Sequence, residues 1–354
     1  MKQKSENDVG ILKSIWSQDE AGRWSIYGMQ GLNLKPRQGY TSNYFKIENE
    51  LSLLTDRPGP IMANLFASFG TTEFLVRQSI VPIVAWTEGD PEIRCIGTGF
   101  FVSATGLLMT AAHVVRDPVD EKYATTTRID DNIQKLSDTL LFGVIIPINP
   151  AMRNNPFFEF PEDLRGAKSL ICPFEWTQHW GNEIESPLFG KKPDFNLDVD
   201  ISICKVRQHP LIGPYQPLNI GQHKLNVGDR AIAIGYAEMK NIIIGEVEEP
   251  ELVVSVGSVT VIYPDNVTEK QNTTPGPNFE FSAKIPGKMS GSPILVGGGI
   301  LTKGVVSRSW EGEDYASGCL IAATMDLPLL DGKTLLDLQQ AGSEGIAAVH
   351  GSDL

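Results

Sequence analysis

The chain has 354 residues, 41% hydrophobic and 21% charged, a mixture that is ordinary for a folded globular protein and excludes an intrinsically disordered one. Its 43 acidic side chains outnumber 30 basic ones, and the resulting formal charge of -13 repels phosphate backbones, which argues against nucleic acid as a partner. The densest acidic stretch, Glu246, Glu248, Glu249 and Glu251, reads as a solvated loop.

The N-terminus, MKQKSENDVGILKSIWSQDE, carries charge but lacks the uninterrupted apolar stretch of a secretion signal, and no segment has the length of a membrane span. The expectation is a cytoplasmic chain with no membrane partner. Residues 1–78 read as an extension: Trp16, Trp24, Tyr27, Tyr40 and Tyr44 stand among many polar residues without a sustained period. Within it, 56–60 (DRPGP) reads as a turn. From 79 onward the texture changes to short apolar runs punctuated by Gly, Pro, Asn and Asp: 80–86, 99–102, 107–110, 201–206, 230–234, 252–261, 294–296 and 304–307. Each is of strand length and several are rich in Val and Ile, which implies an all-β sandwich or barrel. Residues 118–196 break this rhythm with repeated prolines and aromatics and read as a strand-bearing stretch enlarged by surface loops. The glycines 297–299 read as a hairpin turn, and 332–341 as a short terminal helix with Leu335, Leu336 and Leu338 near one side.

Cys95, Cys172, Cys204 and Cys319 are scattered without framework spacing and read as buried thiols of a reducing compartment. Cys204 with His209, and Cys172 with His179, lack zinc-ligand spacing, so no metal site is expected. Gly332-Lys333-Thr334 resembles the end of a phosphate-binding loop, but Leu327 stands where that loop needs glycine.

Three segments hold residues suited to nucleophilic catalysis, which needs a hydroxyl, a base for its proton, an acid to orient the base and donors for the developing oxyanion. His113 lies in GTGFFVSATGLLMTAAHVV (97–115), just past a hairpin formed by 99–102 and 107–110, beside the small Ala111 and Ala112. Asp200 heads an apolar strand in LDVDISICKV (197–206), with Asp198 as its rival two residues earlier. Ser290 lies in PGKMSGSPIL (286–295), where Gly291 permits a sharp turn and Pro293 leads into the next strand.

These segments resemble those of the trypsin- and chymotrypsin-like serine peptidases, in the form seen in bacterial trypsin-like domains. The 97–115 run resembles the family's histidine block. Asp200 through Lys205 matches the acid followed by alternating large and small apolar residues and a base; Asp198 fits that pattern less well. Ser290-Gly291-Ser292-Pro293 matches the nucleophile signature, 227–236 looks like the opening strand of a second barrel, and 304–307 like the strand beside the substrate. The resemblance covers roughly 79–328.

It implies a chymotrypsin-like double β-barrel at 79–330, flanked by the extension at 1–78 and a C-terminal helix and tail at 331–354. It also implies a serine endopeptidase acting on protein or peptide substrates through His113, Asp200 and Ser290, without a cofactor. The N–H groups of Lys288 and Ser290 would form the oxyanion hole, and Lys284, Ser307 and Ser309 would line the substrate pocket. A charged Lys284 six residues before the nucleophile would favour an acidic substrate residue. The chain departs from the family at two places. Lys288 stands where glycine is usual, and Met289 where trypsin has an aspartate that pairs with a newly cut N-terminus. Residues 1–78 are therefore not expected to act as a trypsin-style propeptide. Lys288 also leaves open an alternative: a binding or scaffold protein built on a protease fold. An esterase or acyl transferase would use the same residues with a different acceptor.

Overall fold

The computed structural model describes the backbone of 11–18, 24–36 and 44–51 and then residues 77–350, apart from 88, 117–126, 131–132, 136–139, 149–166, 168, 185–193, 210–211, 213, 223, 244–251, 265–273, 297–300, 311–312 and 342–348. The turn expected at 56–60, the acidic loop at 246–251 and the glycine turn at 297–299 lie outside these residues.

Three strands come first: β1 (Ile11–Gln18), β2 (Trp24–Pro36) and β3 (Tyr44–Leu51). Next are β4 (Ile80–Thr87), β5 (Glu92–Phe101) and β6 (Leu107–Thr110), then the single-turn helix α1 (Ala112–Arg116). The stretch enlarged by loops contains β7 (Thr127–Asp130), β8 (Ile133–Lys135), β9 (Leu140–Pro147), β10 (Ser169–Ile184) and the beginning of β11 (Asp194–Val206). After β12 (Ile220–Gly221) follow β13 (Arg230–Tyr236), β14 (Ile242–Ile243), β15 (Leu252–Tyr263), β16 (Asn278–Phe281), β17 (Pro293–Val296), β18 (Leu301–Ser309) and β19 (Ala316–Leu320). A 3-10 turn (Ile321–Thr324), helix α2 (Leu335–Ala341) and β20 (Val349–His350) end the described chain.

Strand pairing closes on itself twice. The order β11-β6-β5-β4-β9-β10 returns to β11, and β15-β13-β17-β18-β19-β16 returns to β15, with every pair antiparallel. Two closed six-stranded barrels leave few bare strand edges, the usual hazard of an all-β chain. This is the double barrel of chymotrypsin type. The extension is more regular than its composition implied: β1, β2 and β3 pair in sequence, and β3 joins the N-terminal half of β15 at Val253↔Lys46, Val254↔Phe45 and Ser255↔Tyr44. The C-terminal β20 runs parallel to β12, which in turn runs parallel to β18.

The second barrel fills its interior by matching large residues to small ones. Phe279 and Phe281 are fully buried among Ala231, Ala233, Val253, Ile294 and Val306. A Cβ at Gly304 would fall 2.7 Å from the Phe279 ring, so glycine there makes the ring's room. Outward residues of this barrel, including Ile232, Ile234, Leu252, Val254 and Leu295, belong to one apolar cluster with the first barrel's core. The hydroxyl of Tyr236 crosses the same seam to donate to the Ile80 carbonyl at 3.1 Å.

Two segments from the second barrel reach over and pack on the first. One leaves β13, passes Met239 and pairs through β14 with β5. Met239 and Ile242 cover an apolar patch formed by Val84, Ile93, Cys95 and Ile145. The other follows β19: Ile321, Met325, Leu329, Leu335 and Leu338 all enter the large shared cluster. Gln178 and Trp180, two apart on β10, both donate to the Pro328 carbonyl, Trp180 at 3.0 Å. Helix α2 begins at Leu335, three residues later than its apolar pattern suggested. Thr334 and Asp337 exchange side-chain and backbone hydrogen bonds at 3.0 and 2.9 Å, a capping box that sets the start. Among the described residues no helix is long and apolar enough to cross a membrane, and all four cysteines are buried with no disulfide between them.

Candidate active site

The β5–β6 hairpin, with Phe100 opposite Met109, delivers the chain into α1, and His113 sits on that turn with Ala112, Val114 and Val115 buried around it. The imidazole is 38% exposed and so opens to solvent on one side. On the other it meets Asp200. Asp200 Oδ2 lies 2.8 Å from His113 Nδ1, and Oδ1 accepts the backbone N–H of His113 at 3.0 Å. A carboxylate only accepts, so Nδ1 carries the proton and Nε2 keeps its lone pair toward the open side. Both carboxylate oxygens grip one residue, which fixes ring position as well as tautomer.

Asp200 is 2% exposed. Burial by itself would raise its pKa. The charge of His113 when protonated, the hydrogen bonds from His113 and Ser307 and the His113 backbone N–H together outweigh burial and hold it below the ordinary carboxylate value. Asp198 is exposed, although two residues along a regular strand would share a face. The β10–β11 ladder shifts register between His179↔Ser202 and Gly181↔Leu197, and Asp198 and Asp200 both lie within that irregularity.

Ser290 stands on the tight turn from Pro286 to Ser292. The Ser292 N–H donates to the Met289 carbonyl at 3.0 Å, and the Gly291 N–H to the Val306 carbonyl at 2.8 Å. The Ser290 carbonyl accepts the Thr98 N–H of the first barrel at 2.9 Å, so the turn is stitched across the seam. Gly291 has φ 86°, and a Cβ there would meet the Thr98 carbonyl and the Thr110 hydroxyl at 2.0 and 2.1 Å, which leaves glycine as the residue that fits. The Ser290 hydroxyl donates to the Ser307 carbonyl at 3.4 Å; among the described residues it makes no hydrogen bond to His113.

Ser307 is fully buried, and its hydroxyl donates to Asp200 Oδ2. The residue thus touches Asp200 with its hydroxyl and Ser290 with its carbonyl, and this shared neighbour brings His113, Asp200 and Ser290 to one place. A serine ending the apolar run Val305-Val306 could have been flagged as a buried hydroxyl in need of an acceptor. Ser309 is exposed at the end of β18. Lys284 is half-buried, and its carbonyl accepts the Ser255 hydroxyl at 2.6 Å.

Lys288 adopts φ 74°, the left-handed backbone that glycine takes freely and a lysine takes at a cost. The Gly287 carbonyl accepts the Glu238 N–H at 2.9 Å, and the Lys288 carbonyl accepts the Thr98 hydroxyl at 3.1 Å. Among the described residues the N–H groups of Lys288 and Ser290 donate to no protein acceptor, so both are unspent. Met289 is fully buried in the second barrel's core. A thioether there needs no charged partner, in keeping with the absence of the trypsin aspartate.

A second histidine, His179, is 1% exposed. Burial first, and Arg116 second, lower its pKa from 6.5 to about 4, so it is neutral near pH 7.

A family model for the trypsin-like peptidase domain matches residues 97–302. The chain belongs to that family. A search of curated proteins finds no match. Three solved structures to which the chain is similar are Deg5, the HtrA-type protease AlgW with a decapeptide, and an inactive form of Rv3671c from M. tuberculosis H37Rv carrying a serine-to-alanine mutation. Deg5 is 15% identical with a TM-score of 0.40, over 73% of this chain and 88% of its own. AlgW is 11% identical at 0.38, over 71% and 63%, and Rv3671c 14% identical at 0.36, over 82% and 98%.

Proposed function

We propose that the protein is a serine endopeptidase that cleaves peptide bonds through an acyl-enzyme, with His113, Asp200 and Ser290 as its triad. The observation that carries this reading is the double contact of Asp200 with His113, joined to Ser290 through Ser307. His113 Nε2 takes the hydroxyl proton as Ser290 Oγ bonds to the scissile carbonyl carbon, and the carbonyl electron pair moves onto oxygen. The N–H groups of Lys288 and Ser290 receive that oxyanion. The imidazolium, supported by Asp200, then gives its proton to the leaving amine as the C–N bond breaks; water repeats the sequence to release the acid. The hydroxyl rests on Ser307 here, and hydrogen bonds of this kind often tighten only with substrate. Protein or peptide substrates follow from the family. The four buried cysteines, with no disulfide between them, support a reducing, cytoplasmic setting.

A fluorophosphonate probe tests the reading. The folded protein should become labelled at Ser290, and Ser290→Ala and His113→Gln should each abolish labelling. A folded wild-type protein that stays unlabelled would instead be a binding scaffold on a protease fold, the alternative that Lys288 favours.

A further inference from the structure

Two non-glycine residues among those described have left-handed backbone, Glu238 at φ 48° and Lys288 at φ 74°. The Glu238 N–H donates to the carbonyl of Gly287, the residue before Lys288, at 2.9 Å. Such backbone persists only where the surroundings over-determine it, and it concentrates at working sites. A peptide unit is planar, and in the trans form its N–H and C=O point opposite ways. No cis bond occurs among the described residues. Holding the Gly287 carbonyl toward Glu238 therefore turns the Lys288 N–H away from that side. The next peptide is held from the first barrel, where the Thr98 hydroxyl donates to the Lys288 carbonyl.

Glu238 is itself anchored. It begins the segment that continues through Met239 into β14, which pairs with β5 at Ile242↔Ile93 and Ile243↔Glu92. The Asn241 amide donates to the Glu92 carboxylate at 2.7 Å, and Met239 and Ile242 lie on the apolar patch of Val84, Ile93, Cys95 and Ile145. A loop that leaves the second barrel is thus fastened to the first, and on the way it offers one N–H to the turn that carries the nucleophile.

We infer that Glu238 is a positioning residue for the oxyanion donors: its N–H orients the Gly287–Lys288 peptide, and the grip of the 239–243 segment on β5 keeps it there. The inference rests on the peptidase reading for its use, though not for the geometry it asserts. Glu238→Gly keeps the N–H and takes φ 48° without strain. Glu238→Val keeps the N–H, but its β-branched side chain is excluded from that region, so the Gly287 carbonyl loses its partner. Asn241→Asp, which sets a carboxylate against Glu92, should loosen the segment without changing the backbone at 238.

Removing one oxyanion donor outright costs about 10²–10³ in kcat, so misdirecting one in Glu238→Val should cost about 10- to 100-fold, with KM within about twofold. Asn241→Asp should fall between Glu238→Val and wild type, and Glu238→Gly, which keeps the donor and its backbone, should retain at least about tenfold more activity than Glu238→Val. Affinity for a peptide boronate should drop in parallel with kcat, whereas a purely structural defect would lower the folded fraction instead. Crystal structures supply a readout independent of activity: in Glu238→Val the Gly287 carbonyl should have turned. An unturned peptide in Glu238→Val overturns the inference, as does a turned peptide with unchanged kcat. If Glu238→Val does not fold, Asn241→Asp decides by the same two measurements. If wild type resists the fluorophosphonate the peptidase reading fails, and the peptide orientations still decide the role of Glu238.

Discussion

Acid should weaken this fold in a window set by His179. The side chain is buried on β10, opposite Ser202, and its pKa is about 4 in the folded protein against 6.5 in an exposed setting. Between those values the unfolded chain holds a proton that the folded one refuses. Stability is therefore full above pH 6.5 and declines as the pH falls, by about 1.4 kcal/mol per pH unit. By pH 4 the loss amounts to roughly 3 kcal/mol, after which both states are protonated and the difference stops growing. Against a total stability of about 5–15 kcal/mol this is a large share. Asp200 does not confuse the window. Its pKa is depressed, so its contribution is lost only as the pH falls below the ordinary aspartate value of 3.8. Urea midpoints at several pH values from 7 to 4, for wild type and for His179→Phe, measure the effect. The phenylalanine has no proton to take, so wild type should lose roughly 3 kcal/mol more than the variant across the series. Parallel curves would refute the reasoning, since they would mean that folded and unfolded His179 bind protons alike.

Three substitutions follow from the same geometry. Lys288→Gly relieves left-handed strain but frees the unfolded chain, and should raise the urea-derived stability by about 0.5–1 kcal/mol; a loss of that size would mean that the lysine side chain supports the turn. Gly291→Ala combines a φ of 86° with overlap onto the Thr98 carbonyl and the Thr110 hydroxyl, and should cost about 3 kcal/mol or more by thermal denaturation, together with fluorophosphonate labelling. Leu335→Ala empties a fully buried place where the C-terminal segment sits on the first barrel, and should cost about 2–5 kcal/mol; a cost under about 1 kcal/mol would show that this segment is not part of the shared core.

The strands of the two barrels were largely legible because short Val- and Ile-rich runs are separated by turn residues, and the His113 and Ser290 segments sit beside strand ends, whereas Asp200 lies inside β11. The 16-residue β10 was harder to read, since Pro173 falls inside it where proline usually ends a strand. The extension hid β1, β2 and β3 because its apolar residues keep no clear alternation. At Asp198 and Asp200 regular strand periodicity puts both acids on one face; a shift in ladder register, which pattern cannot show, leaves Asp198 exposed and Asp200 buried. Ser307 was placed on its strand, but its contact with Asp200 was not legible, since a pairing between residues 107 positions apart leaves no local trace. Lys288 stood out as a departure from glycine, yet its left-handed backbone became visible only in three dimensions. Glu238 gave no signal, because the residues that advertise such backbone are glycine and asparagine.

The seam between the barrels also imposes an order in time. A ribosome delivers His113 and Asp200 long before Ser290, and the Ser307 hydroxyl that steadies Asp200 emerges later still. On the peptidase reading a growing chain would carry a base and an acid with no alcohol to activate, and the apolar cover of 321–338 can seat only once both barrels have emerged. Cleavage by Ser290 would, on that reading, begin late, after most of its own polypeptide had emerged.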